Sequence, residues 1–330
     1  DEKRKDTAAR SEALNDADFV ILCLPDAAAK EAVAMITSNH TRIIDASTAH
    51  RIDMHWTYGF PEYRKGQRER IAAARLVSNP GCYPTGFLAL IAPLVTAGLI
   101  PEDWPYTVNA VSGYSGGGKA MIAEFEAAPG SGPGVTKREA FRAYGLSLQH
   151  KHVPEMTKHS GLKHDVLFAP AVGAYRQGML VEVPLQLAAL PETPSIDRLH
   201  GALVEAYDGC RFVEVAGLDA AEAMTGLDPE GLNGTNSMRL HVFGHRDGAQ
   251  ARLVDRRRHL VAGDLDEGGS TAGVDLGGGR TRQRRQDHRY GEQPQAAAGL
   301  QGGKHLRHPQ GSEREPVASR LAIAAARDWR

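Results

Sequence analysis

A chain of 330 residues with 24 % charged and 42 % apolar side chains is long enough for two cored domains. Its net charge of −1 gives no electrostatic case for nucleic acid or an anionic membrane as a partner, and no apolar run reaches the roughly 18–20 residues of a membrane span. Three scattered cysteines, Cys23, Cys82 and Cys210, form neither a disulfide framework nor a C-x-x-C metal site, so the reading is a cytoplasmic protein with single thiols and no metal.

The opening stretch, residues 1–18, is charged and reads as helix. Phe19–Pro25 is a continuous β-rich apolar run, as expected of a parallel strand buried on both faces. Asp26–Ile36 reads as a helix with Asp26 as its N-cap, and Thr41–Ser47 as the next strand. Strand, helix and strand in this order predict an α/β, Rossmann-like parallel sheet. A third strand, Arg75–Pro80, delivers the chain to Cys82. The apolar stretch Thr85–Ile100 predicts a helix, ended or kinked by Pro93 and stopped near Gly98.

From Tyr106 the texture changes. A strand runs into the Gly/Ser loop Ser112–Lys119, and Asp165–Tyr175 and Gly178–Leu190 have strand composition. Ser195–Gly209 is a capped amphipathic helix, and Ser237–His245 is a late strand. This pattern predicts a second, α+β domain. The expected division is a nucleotide-type sheet domain over 1–81, a catalytic α+β domain over 82–254 and a disordered or aberrant tail over 255–330. The tail carries 14 basic and 10 acidic side chains, whereas residues 1–254 carry 25 and 30. Thirteen of the tail's basic residues are Arg, and only Tyr290 and Trp329 are aromatic. Such a segment buries too little apolar surface to offset its ordering entropy, and it lacks the aromatic interleaving of an RNA-binding arm.

The segment SNPGCYPTG, Ser78–Gly86, carries the chemistry. Pro80-Gly81 makes a tight turn after a strand, and Cys82 lands at or just before the first turn of a helix. Unpaired N–H groups and the helix dipole favour an anion there, which is expected to lower the thiol pKa and to offer an oxyanion site. The competing reading is a buried structural cysteine, and it is the one adopted for Cys23 and Cys210. A base is offered in Gln149–Met156 by His150 and His152, followed by Pro154-Glu155. The Ser112–Lys119 loop can aim backbone N–H groups at phosphate, although Ala120 after Lys119 breaks the P-loop pattern.

SNPGCYPTG, SGYSGGGK, HKHVPEM, CLPD, IDASTAHR and LNGTNSMRLHVFG together resemble the N-acetyl-γ-glutamyl-phosphate reductases, closest to their shorter bacterial type, over roughly residues 1–250. The resemblance implies a semialdehyde-dehydrogenase type of fold and a role in arginine biosynthesis. It implies that Cys82 captures the acyl group of N-acetyl-γ-glutamyl phosphate as a thioester, which NADPH reduces to the semialdehyde. His152, in HVPE, takes the acid/base role, with His150 as the fallback. Arg51, Ser112, Ser115, Lys119, His150 and Glu155 become candidates for substrate binding. Leu24, Pro25, Ser47, Thr48, Gly116, Gly117 and Asn236 become candidates for cofactor binding. The implied partners are a small-molecule substrate and a second copy of the chain, without nucleic acid, membrane or metal.

Two departures from the family pattern stand out. The first glycine is Gly59, so no glycine fingerprint precedes Phe19–Pro25. The expectation is an N-terminally truncated, partial dinucleotide-binding domain that lacks a central strand. After Val254 the Arg-rich, Lys-poor sequence resembles a GC-rich gene read out of frame. Two other readings follow: a cysteine hydrolase or acyltransferase using Cys82 and His152 without nicotinamide, and an inactive remnant of the reductase.

Overall fold

A computed structural model describes residues 6–127, 139–258 and 321–325. Helix α1 (Thr7–Asp16) is capped by Asp6, whose carboxylate accepts from the Ala9 N–H at 2.9 Å. Strand β1 (Phe19–Cys23), helix α2 (Asp26–Met35) and strand β2 (Arg42–Asp45) follow. Asp26 is the first helical residue rather than the cap. Its carboxylate accepts instead from the Thr48 N–H and hydroxyl, tying the β1–α2 turn to the segment after β2. Strand β3 (Thr57–Tyr58), helix α3 (Gln67–Ala73) and strand β4 (Leu76–Ser78) lead to helix α4 (Cys82–Thr96).

The second half begins with β5 (Thr107–Gly113), a 3₁₀ turn over Tyr114–Gly117 and α5 (Gly118–Glu126). Then come β6 (Phe141–Ala143), α6 (Val153–Ser160), β7 (Leu167–Gly173), β8 (Met179–Gln186) and α7 (Ile196–Ala206). Strands β9 (Val213–Val215), β10 (Met238–Phe243) and β11 (Gln250–Arg257), with α8 (Leu218–Glu222) after β9, complete it. A last strand, β12, covers Leu321–Ala325.

Two sheets result. The first has the order β12-β1-β2-β4-β3 and all its pairings are parallel. The second, mixed sheet has the order β6-β7-β5-β8-β11-β10-β9. The fold is thus a Rossmann-like α/β sheet joined to an α+β half. Two sequence expectations change. The position beside β1 is not empty: β12 pairs with it in parallel from Phe19↔Leu321 to Cys23↔Ala325. Ordered structure also continues past Val254, because β11 runs through Arg257 against β8 and β10. The expectation of a disordered or out-of-frame tail otherwise lies outside the described residues.

Helix α4 is the centre of the larger core. Phe87, Leu88, Ala89, Leu90, Ile91 and Leu94 are wholly enclosed, and α4 packs on α6, α7, β8 and β11. Burial on all sides explains a helix without a polar stripe. It starts three residues before the apolar run Thr85–Ile100 and passes through Pro93. Proline removes the N–H that would bond the Ala89 carbonyl. The Tyr207 hydroxyl replaces it, donating to that oxygen at 2.8 Å from the end of α7. The helix stops at Thr96, and Gly98 takes φ +66 just beyond it.

Candidate active site at the head of helix α4

Strand β4 ends at Ser78, the chain turns through Asn79-Pro80-Gly81, and Cys82 is the first residue of α4. Gly81, the N-cap, has φ −67 and ψ 149, which any residue adopts. Its need for glycine is one of space. A Cβ there would fall 2.7 Å from Arg51 Nη1, 2.8 Å from Glu155 Oε2 and 2.8 Å from His152 Nε2. Three polar side chains from two distant segments therefore converge on the residue before the cysteine.

Glu155 holds this arrangement together. It is 1 % exposed; Oε1 accepts from the Gly81 N–H and the Tyr58 hydroxyl, each at 2.7 Å, and Oε2 accepts from Arg51 Nη1 at 3.3 Å. Arg51 in turn donates to the carbonyls of Asn79 at 2.9 Å and Ala46 at 3.1 Å. The Arg51 carbonyl is bonded by His159 Nε2 at 2.7 Å, and the His159 ring stacks on Tyr58. Buried charges need such complete pairing. Burial raises the Glu155 pKa, with Arg51 and the Gly81 N–H pulling it back.

Cys82 is partly buried, and its thiol pKa is raised, not lowered. Burial outweighs the Arg257 guanidinium, the Tyr83 N–H and Arg51, which favour the thiolate. His152 is 5 % exposed, and its pKa is pushed down to about 2 by burial and by the neighbouring His150, Arg51, Lys151 and Arg257. Its Nδ1 is buried without a hydrogen-bond partner among the described residues. At rest Cys82 is thus a thiol and His152 a neutral imidazole whose Nε2 faces the preceding residue, Gly81. His150 packs 4.7 Å from His152, ring to ring, and its Nδ1 accepts from the His152 N–H at 3.1 Å.

The other expected site residues spread more widely. Ser112 lies in β5 and accepts from the Tyr83 hydroxyl at 2.9 Å, and Tyr144 donates to that same hydroxyl at 3.1 Å. Ser115 is 1 % exposed and its Oγ has no partner among the described residues, whereas Gly116, Gly117 and Lys119 are exposed. Backbone bonds of Gly113, Tyr114 and Ser115 tie this loop to the turn at Tyr175–Gly178. Asn236 is exposed just before β10. Sequence reasoning missed Tyr58 and Arg257. Arg257 donates to the Cys82 carbonyl from a stretch that carries no periodic signal.

Leu24, Pro25, Ser47 and Thr48 follow the carboxyl ends of β1 and β2, where open parallel sheets bind dinucleotides. Ser78 Oγ, at the end of β4, is buried and has no partner among the described residues. This edge fits the nicotinamide end of a dinucleotide. The β1–α2 turn does not fit its diphosphate: it has no glycine, and it sets the Asp26 carboxylate at the helix start, where an anion would meet it. No group of three or more metal-ligating side chains occurs among the described residues. None of the described helices is long and apolar enough to cross a membrane.

Comparison with known proteins identifies the fold and the family. The family model for the semialdehyde dehydrogenase NAD binding domain matches residues 2–74, and that for the semialdehyde dehydrogenase dimerisation domain matches 82–256. Aspartate semialdehyde dehydrogenase II from Vibrio cholerae shares the fold, with TM-score 0.54 at 15 % identity over 74 % of this chain and 75 % of that one. The Francisella tularensis aspartate semialdehyde dehydrogenase also gives 0.54, at 13 % identity over 75 % and 79 %. N-acetyl-gamma-glutamyl-phosphate reductase from Burkholderia orbicola is 48 % identical over 82 % of this chain and 84 % of its own length. N-acetyl-gamma-glutamyl-phosphate reductase 2 from Nostoc sp. is 48 % identical over 79 % and 82 %. With both halves matched and this identity sustained across them, the chain belongs to the N-acetyl-gamma-glutamyl-phosphate reductase family.

Proposed function

We propose that the protein catalyses the NADPH-dependent reductive dephosphorylation of N-acetyl-γ-glutamyl phosphate to N-acetylglutamate 5-semialdehyde, a cytoplasmic step of arginine biosynthesis. The observation that carries the reading is the convergence of Arg51, Glu155 and His152 on Gly81, one residue before a cysteine that opens a buried helix.

Cys82 Sγ attacks the acyl carbon, the S–C bond forms, the C–O bond to phosphate breaks, and phosphate leaves with the electron pair. The first N–H groups of α4 face the oxygen that becomes negative in this step. Because the resting thiol is protonated, neutral His152 acts as the base that takes its proton during attack. The same imidazole returns a proton when the C–S bond breaks and the aldehyde departs. A reduced nicotinamide, held along the ends of β1 and β2, would supply the hydride to the thioester carbon. Arg51 and Glu155 fix the Gly81–Cys82 turn, while Lys119 and the N–H groups around Gly116-Gly117 are the groups proposed to meet the substrate's anionic end. Leu24, Pro25, Ser47, Thr48 and Asn236 are proposed to line the cofactor.

The outer face of the second sheet is open. Grooves of about 450 and 410 Å³ run along it past Asn109, Glu182, Pro184, Gln186 and Arg252. A second copy is proposed to cover this face, in keeping with the dimerisation-domain match; sedimentation velocity giving a monomer refutes it. The three cysteines are free, in keeping with a reducing compartment. The test of function is an assay with acyl phosphate and NADPH. The expected result is stoichiometric oxidation of NADPH that Cys82→Ser abolishes. Release of the free acid without NADPH consumption would make the protein a hydrolase instead.

A further inference from the structure

Strand β11 presents two charged side chains to the head of α4. Asp255 and Arg257 are two residues apart, so they share one face of the strand, the face that meets the helix. Arg257 is 7 % exposed. Its Nη2 donates to the Cys82 carbonyl, and its Nε lies 3.3 Å from Met179 Sδ and 3.2 Å from Asp255 Oδ2. Asp255 is fully buried, and neither carboxylate oxygen has a hydrogen-bond partner among the described residues. It lies so close to α4 that a Cβ on Gly86 would run into it. Gly86 is thus the position that lets a charged pair reach the first turn of a helix that is otherwise packed in hydrocarbon.

A buried carboxylate with one oblique ionic contact and no hydrogen bond contributes little to stability. Its geometry makes sense as an electrostatic element. We propose that Arg257 is a positioning residue for the cysteine chemistry: it holds the first turn of α4 through the Cys82 carbonyl and sets a positive charge beside the thiol, and Asp255 limits how much of that charge the thiol experiences. The inference rests on the reading of Cys82 as the nucleophile. Among the described residues, the other charged or titratable groups coupled to the thiol are Arg51, after β2, Glu155 of α6, and the phenols of Tyr83 and Tyr144, while His152, the N-cap of α6, faces the adjacent Gly81. Arg257 is the largest of the influences that favour the thiolate.

The test is the pH dependence of Cys82 alkylation by iodoacetamide on the full chain, followed by mass spectrometry of the Cys82 peptide. It needs neither acyl phosphate nor NADPH, so failure of the reductase reading leaves it interpretable. Arg257→Met is expected to raise the alkylation midpoint by about one pH unit, which slows labelling about tenfold below the midpoint. Arg257→Lys is expected to restore it to within a few tenths. Asp255→Asn, which keeps the shape, is expected to lower it. A midpoint unchanged in Arg257→Met while the melting temperature falls would make Arg257 merely structural and overturn the proposal. If Arg257→Met does not fold, Asp255→Asn decides: a lowered midpoint supports the proposal, and an unmoved or raised one overturns it.

Discussion

Gly81→Ala isolates the space before Cys82. The backbone at Gly81 is ordinary extended chain, so alanine adds no dihedral strain. The added methyl would sit at 2.7–2.8 Å from Arg51 Nη1, Glu155 Oε2 and His152 Nε2, inside the limit real carbon contacts respect. These atoms cannot swing aside easily, because Arg51 is tied to two carbonyls and Glu155 to a phenol and an N–H. Overpacking of this kind costs about 1–3 kcal/mol, which for a protein of this size lowers Tm by roughly 2–6 °C. The shift also moves the imidazole relative to the sulfur, and misplacement near 1 Å costs about a hundredfold in rate. Thermal unfolding and kcat/KM on the same preparation check both effects. An alanine variant with wild-type Tm and wild-type kcat/KM would show that the three side chains do not converge as described.

Glu155→Gln is expected to destabilise by about 3 kcal/mol in urea unfolding, because Arg51 is left buried without its countercharge. Tyr207→Phe removes the donor to the Ala89 carbonyl that Pro93 leaves open, and is expected to cost about 1 kcal/mol with kcat/KM unchanged. Deleting residues 321–330 exposes the β1 edge that β12 covers, so a lower Tm is expected; an unchanged Tm refutes that pairing.

The sequence made some of this legible and hid the rest for identifiable reasons. The β1–α2–β2 alternation and the cysteine at a strand-to-helix turn were readable, because both are local: an apolar run, a breaker pair, a second apolar run. The start of α4 at Cys82 was blurred only by Tyr83-Pro84, which suits a first helical turn as well as a loop. The direction of the thiol pKa runs opposite to the local expectation. The local rule weighs a helix terminus in water, whereas here burial prevails. Arg51 and Glu155 stand out in the motifs that carry the resemblance, but their pairing across 104 positions leaves no mark in spacing. Asp255 and Arg257 open a stretch of biased composition that hides them. Their alternation toward α4 emerges only once Gly86 is seen to admit them. Strand β12 is five residues of Leu, Ile and Ala, too short and too plain to signal its pairing to β1.

Acid sensitivity follows from the buried histidines, and its sign can be worked through. His152 is held down to about 2, and His159 and His241 to about 4, each from 6.5. A histidine whose folded pKa is depressed contributes stability that is complete above 6.5 and is lost as pH falls toward the folded value, because the unfolded chain binds the proton first. At pH 5 this amounts to about 1–2 kcal/mol for each ring. Asp255 opposes the trend: with its pKa raised from 3.8 to about 6, its burial costs most above pH 6 and costs less as it protonates. That recovers only about 1 kcal/mol by pH 5, so the net loss from these four groups between pH 7 and 5 is roughly 2–5 kcal/mol, a large part of a typical folding free energy. His241 makes the test specific. It is wholly buried in β10 beside Phe243, Arg239 and Arg256, and neither ring nitrogen has a hydrogen-bond partner among the described residues. His241→Leu removes a proton-binding group from the unfolded chain and an unpaired ring from the sheet. Urea unfolding at pH 8 and pH 5 is expected to show it gaining stability relative to the parent by about 2 kcal/mol more at the lower pH. An equal effect at both pH values would mean that the His241 ring protonates as readily in the folded protein as in the unfolded chain.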